Sequence, residues 1–181
     1  MGVGKSTCGK LLARKLDFQF FDTDTMISEE TGCSIPEIFR CHGEEGFRQM
    51  ERRVVQEKIP LMNRCVIATG GGLGANLEYL ESLKRNCFVV HLWLSPEGIY
   101  DRVKRHKGRP LLETADPMAR IRELFEKRIS VYRHADAEVS TLNRPVKRIV
   151  FQIMLSYQSL KRKTNEFGII ETPRENQGTS C

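Results

Sequence analysis

Gly2-Val3-Gly4-Lys5-Ser6-Thr7, running straight into a helical pattern, has the form of the end of a Walker A loop, G-x-x-x-x-G-K-[ST]. The chemistry of such a loop is triphosphate binding. Its glycines let backbone N–H groups approach phosphate oxygens, Lys5 neutralises the β- and γ-phosphates, and the Ser6 hydroxyl ligates Mg2+. The motif's first glycine falls ahead of Met1, and so does the strand that leads into such a loop in a doubly wound sheet. Without that strand, neighbouring strand edges and apolar faces are expected to be open to water.

Phe21-Asp22-Thr23-Asp24 places two carboxylates at i and i+2 where an aromatic strand ends, so both reach a site if the strand frays there. One can order Mg2+ or its waters while the other orients a substrate hydroxyl or accepts its proton. Taken alone, Asp-x-Asp is more often a turn or a helix cap. Thr69-Gly70-Gly71-Gly72-Leu73-Gly74-Ala75 is a second glycine cluster, where backbone amides can come close to a ligand. It also satisfies the loose dinucleotide pattern G-x-G-x-x-A, with Glu97 as the distant acid. The Walker residues upstream make a phosphate loop the stronger reading.

These groups need elements to hold them. Ser6 to Leu16 reads as a helix, Phe18 to Phe21 as a strand, and Ser34 as the cap of a short helix that Gly43 separates from a longer one through Lys58. Cys65–Ala68 and Phe88–Leu94 read as buried strands, with a crossover helix from Asn76 to Arg85 between them. Ser95 caps a further helix, a charged helix runs from Pro117 to His134, Ala137–Ser140 is a short last strand, and Pro145 opens a final helix. Strands alternating with helices predict a parallel sheet covered on both faces. Thr164–Cys181 loses periodicity and reads as a mobile tail.

The chain has 181 residues, a net charge of +6 and 40% apolar residues, which fits one globular domain. Its longest apolar runs end within about seven residues, far short of the ~20 that span a bilayer, and no secretory signal is visible. Six scattered cysteines without C-x-x-C spacing argue for a reduced compartment and against a disulfide framework or zinc site. No aromatic-interleaved basic face accompanies the positive charge, so nucleic acid is not an expected partner. The four histidines show no ligand spacing, and Trp93 reads as core.

The order of the loop, Asp22-Thr23-Asp24, Gly43-Glu44-Glu45-Gly46-Phe47-Arg48, Gly70-Gly71-Gly72, Arg109-Pro110-Leu111-Leu112 and Tyr132-Arg133 resembles the shikimate kinases. The resemblance runs from Met1 to about residue 155. It implies a three-layer α/β/α P-loop kinase fold with a parallel sheet whose first strand is not in this chain. It also implies one domain over 1–163, with a substrate-binding segment at about 23–51 and a lid at about 106–116. The implied activity is transfer of the γ-phosphate of ATP to the 3-hydroxyl of shikimate, with Mg2+, on the route to chorismate and aromatic amino acids. A monomer in the cytoplasm is expected, or in a plastid if a transit peptide precedes Met1.

Residue by residue, the resemblance implies that Asp24 holds and deprotonates the attacking hydroxyl while Asp22 acts with Ser6 on the metal, both carboxylates being ionised. Arg48 and Arg133 resemble the pair that grips the shikimate carboxylate, a task for guanidinium forks. The Gly70, Gly71 and Gly72 amides are similar to those that meet the ring hydroxyls. Arg109 would stabilise charge on the transferring phosphoryl group. ATP would contact Gly2, Val3, Gly4, Lys5, Ser6 and Thr7, with Arg102 and Arg144 near its adenine. Two other readings stay open: a related kinase with a gluconate-like or nucleoside monophosphate acceptor, and a non-catalytic binding module.

Overall fold

The computed structural model describes residues 2–70, 72–104, 114 and 116–166. Its elements alternate as anticipated: α1 (Lys5–Leu16), β1 (Gln19–Asp22), α2 (Thr23–Thr31), α3 (Ile35–Arg53), β2 (Cys65–Ala68), α4 (Leu77–Lys84), β3 (Val90–Trp93), α5 (Pro96–Val103), α6 (Pro117–Tyr132), β4 (Ala137–Ser140) and α7 (Val146–Glu166). The final helix runs three residues beyond the boundary expected at Lys163, so Thr164, Asn165 and Glu166 belong to it. The rest of the proposed tail lies outside the described residues.

Local chemistry explains the boundaries. Asn76, Ser95 and Asp116 accept hydrogen bonds from the first-turn amides of Tyr79, Gly98 and Ala119, capping α4, α5 and α6. Glu37 reaches back to the Ser34 amide at 2.8 Å and closes a capping box at the start of α3. Gly43, with φ 67° and ψ −173°, interrupts α3 where a break between two helices is expected from the sequence. Few side chains tolerate that backbone, and glycine does so without a Cβ penalty. The strand expected over Phe88–Leu94 contracts to Val90–Trp93, because the Val89 amide donates to the Asp136 carboxylate and the Val89 carbonyl accepts from the Asp136 and Ala137 amides.

The four strands form two parallel pairs: β1 with β2, in register Gln19↔Cys65 to Asp22↔Ala68, and β3 with β4, in register Val90↔Ala137 to Trp93↔Ser140. Among the described residues the pairs do not join into one sheet. Two apolar clusters flank them. One gathers Ile27, Ile38, Phe47, Val54, Val55 and Leu73; the other gathers Val3, Leu92, Leu94, Ile99, Val139 and Ile149. Burying each large side chain contributes about 1.5–3 kcal/mol, so Leu73→Ala in its fully closed position should cost about 2–5 kcal/mol. α1 lies so close to β1 that a Cβ on Gly9 would fall 2.6 Å from the Phe20 ring.

Candidate active site

The loop before α1 is shaped by its glycines. Gly2 (φ 67°) and Gly4 (φ 91°) both adopt left-handed backbone, which turns the chain sharply ahead of the helix. Val3 between them is buried in the core and pins the loop. Arg102 on α5 holds it from behind, its guanidinium donating to the carbonyls of Gly2 (3.4 Å), Val3 (3.2 Å) and Thr141 (2.6 Å). Arg102 is thus a support of the loop, bonded to three carbonyls. Arg144 hydrogen-bonds Gln152 on α7.

β1 does not fray after Phe21. Asp22 instead becomes the N-cap of α2, accepting the Asp24 amide on Oδ1 at 3.1 Å and the Ser6 hydroxyl on Oδ2 at 2.8 Å. The two carboxylates therefore diverge, Asp22 toward the loop and Asp24 toward the glycine cluster. Burial pushes the Asp24 carboxyl above its ordinary range and Asp22 adds to this, while Lys5 and Arg48 pull it back. Both acids are expected from the sequence to be ionised, and burial works against that at Asp24.

Asp24 Oδ1 is buried without a hydrogen-bond partner, and so is Glu51 Oε1 on α3. Both face Gly70, where a Cβ would fall 2.5 Å from the first and 3.1 Å from the second. Two acceptors thus converge on backbone that carries no side chain. The Gly70 amide itself is already donated to the buried Thr23 hydroxyl at 2.7 Å. In this structure that hydrogen bond engages the amide expected from the sequence to meet a ring hydroxyl. A Cβ at Gly72 would collide with the Arg48 guanidinium, so that side chain lies directly over the cluster. Gly71 and Arg109 lie outside the described residues, as does nearly all of the expected lid.

Arg48 donates to Glu51 at 2.5 Å and to Glu44 at 2.9 Å, with 27% of its side chain exposed against 0% for Glu51. The buried acid aims the guanidinium, and the exposed Glu44 holds its other nitrogen. Burial raises the Glu51 pKa more than the Arg48 bond lowers it. Arg133 is exposed at the C-terminal end of α6, where its amide bonds Ile129 and Val131. The site-facing arginine of α6 is Arg128, more than one turn earlier. It hydrogen-bonds Tyr132 and its charge is felt at Glu51. Lys5, Thr69, Gly70, Gly74, Arg128 and Tyr132 share a cavity of about 130 Å3. The Tyr132 ring is wedged between the Gly74 backbone and the His91 ring, 4.9 Å away.

Sequence reasoning missed Glu51, Arg128 and Tyr132 as neighbours of the site. Glu51 carried a signal, since it falls on the apolar face of α3 shared with Phe47, Val54 and Val55. A charge on such a face is retained when it has work to do with a partner.

Ser6 and Asp22 offer a hydroxyl and a carboxylate, the hard oxygen donors Mg2+ uses when phosphates and waters complete its shell. Their hydrogen bond holds both oxygens at the phosphate loop, so the pair fits the ion. No group of three His, Cys, Asp or Glu that could hold a metal occurs among the described residues.

A family model for shikimate kinase matches residues 1–158. The shikimate kinase of Caldanaerobacter subterraneus subsp. tengcongensis is 40% identical over 161 residues, covering 89% of this chain and 94% of that one. A shikimate kinase of Thermus thermophilus is 46% identical over 155 residues, covering 85% and 84%. The solved structure of shikimate kinase from Acinetobacter baumannii in complex with shikimate has a TM-score of 0.83 at 36% identity, covering 89% of this chain and 90% of that one. The matched span takes in every element that carries the site, and at this identity it places the chain in the shikimate kinase family.

Proposed function

We propose that this protein transfers the γ-phosphate of ATP to the 3-hydroxyl of shikimate, with Asp24 as the group that receives the hydroxyl proton. The single observation that carries the residue assignment is the unpartnered Asp24 Oδ1, buried beside Glu51 against the Gly70 backbone. An acceptor oxygen left without a donor there suits a substrate hydroxyl, which supplies one.

The other roles follow from position. The loop amides and Lys5 orient the triphosphate, and Ser6 and Asp22 would hold Mg2+. When bound, the ion neutralises charge on the phosphate oxygens. Arg48 and Arg128 approach the glycine cluster from α3 and α6 and together present guanidinium groups to the substrate carboxylate. The glycines beneath them let Asp24, Glu51 and Arg48 close on bare backbone, and an acid flanked by guanidinium groups favours a polyhydroxy acid over a nucleoside monophosphate.

We propose that the protein acts as a monomer in the cytoplasm. No described helix is long and apolar enough to cross a membrane. The test is ADP release from Mg-ATP with shikimate, gluconate or a nucleoside monophosphate as acceptor. Shikimate-dependent release supports the reading, and release with another acceptor alone, or with none of them, overturns it.

A further inference from the structure

The start of α2 sends three successive side chains to three different places, as residues about 100° apart around a helix must. Asp22 takes the Ser6 hydroxyl at the phosphate loop, and Asp24 closes on the Gly70 backbone. Thr23 between them is wholly buried, and its hydroxyl accepts the Gly70 amide at 2.7 Å. Nothing proposed so far gives this residue a part in the reaction.

The bond prolongs the sheet with a side chain. β1 and β2 pair in parallel as far as Asp22↔Ala68, so the next pair in register would be Thr23 with Thr69, and the Gly70 N–H would seek a carbonyl of the neighbouring strand. Thr23 opens α2 instead, and its carbonyl turns into the helix. Its hydroxyl takes up the amide in that carbonyl's place. Because the side chain is enclosed, the hydroxyl cannot swing out to water, and without it the Gly70 N–H would be left buried and unpaired unless the backbone moved.

Movement there would reach the site directly. A Cβ on Gly70 would fall 2.5 Å from Asp24 Oδ1 and 3.1 Å from Glu51 Oε1, and Gly72, two residues on, lies under the Arg48 guanidinium. A shift of the glycine turn therefore changes its spacing to all three groups at once. We propose that Thr23 is a positioning residue for phosphoryl transfer: its hydroxyl pins the glycine turn after β2 to the first turn of α2, and so fixes the backbone against which Asp24, Glu51 and Arg48 meet the acceptor. The effect on turnover rests on the shikimate phosphorylation proposed above, whereas the pin itself rests on the bond at Gly70. The nucleotide side is held separately, through Asp22 and Ser6.

The test compares Thr23→Val, which keeps the shape and removes the acceptor, with Thr23→Ser, which keeps the hydroxyl, and with Val150→Ala, which weakens the core under α7. Readouts are kcat, KM for shikimate and for ATP, the urea midpoint, and amide exchange at Gly70 relative to the β2 amides. Thr23→Val should lower shikimate-dependent kcat by ~10–100-fold and speed Gly70 exchange at least about tenfold, with ATP KM within about twofold of wild type. Thr23→Ser should keep kcat within about threefold of wild type, and Val150→Ala should lower the midpoint without moving kcat or the relative Gly70 exchange. Wild-type kcat in Thr23→Val, an equal loss in Thr23→Ser, or a loss that follows the midpoint through all three variants overturns the proposal. If Thr23→Val does not fold, the wild type still decides, since Gly70 exchange faster than that of the β2 amides overturns the pin. A wild type that releases no ADP with shikimate overturns the kinase reading instead, and Gly70 exchange then judges the pin by itself.

Discussion

Ser6 and Asp22 are joined by a 2.8 Å hydrogen bond that ties the phosphate loop to the end of β1 across 16 residues. Asp22→Asn keeps an acceptor for the hydroxyl and removes the charge. The Mg2+ concentration for half-maximal velocity should rise by ~10–100-fold, as for groups that support a metal, while shikimate KM stays within about twofold. ADP release across a Mg2+ titration checks this, and an unchanged Mg2+ requirement rejects it.

Asp24→Asn removes the proposed proton acceptor without altering size. Its kcat should fall by ~10²–10⁴ while calorimetry finds shikimate bound within a few-fold of the native affinity. Wild-type turnover in this variant would take Asp24 out of the chemistry.

Arg128 and Arg133 separate the structural reading from the sequence one. Arg128→Ala should raise shikimate KM by ~10–100-fold, the loss of a charged hydrogen bond, whereas Arg133→Ala should move it no more than ~2-fold. Initial rates over a shikimate series decide between them, and the reverse order would restore Arg133 as the anchor.

The glycine cluster makes a graded prediction. At Gly70 an added methyl would sit 2.5 Å from Asp24 Oδ1, whereas at Gly74 it would meet Tyr132 at an ordinary 3.5 Å. Gly70→Ala should therefore lose ~10²-fold in kcat through displacement of the acid, with Gly74→Ala near wild type. Equal rates in both would show that the Asp24 position tolerates the methyl.

Glu51 supplies a pH signature. Burial holds its pKa above the ordinary 4.5, so the folded protein binds this proton more readily than the unfolded chain. Its contribution to stability is fullest below 4.5 and is lost as pH rises through the folded value. The urea midpoint of Glu51→Gln, relative to wild type, should therefore climb between about pH 4 and about pH 8. A flat or falling difference rejects the raised pKa.

Much of this arrangement was legible in the residues. Caps and breaks depend on neighbours in the chain, so Ser34, Gly43, Asn76 and Ser95 marked element ends correctly. The phosphate loop was legible for the same reason, since its glycines, lysine and hydroxyl act within one turn. The arginines were not. Which guanidinium of α6 faces the cluster depends on how the helix rolls against β3, and that is set by Tyr132 stacking on His91, a contact 41 residues apart in the chain. The amide partner of Gly70 was not legible for a similar reason, because Thr23 is 47 residues away.

Arg102 lends the phosphate loop a stiffness that its own glycines cannot provide. With one guanidinium strung between Gly2, Val3 and Thr141, the loop is braced by the turn after β4. Changes at the turn after β4 should then be felt as slackness in triphosphate binding. Selection on that turn would be read, at a distance, as selection on the nucleotide.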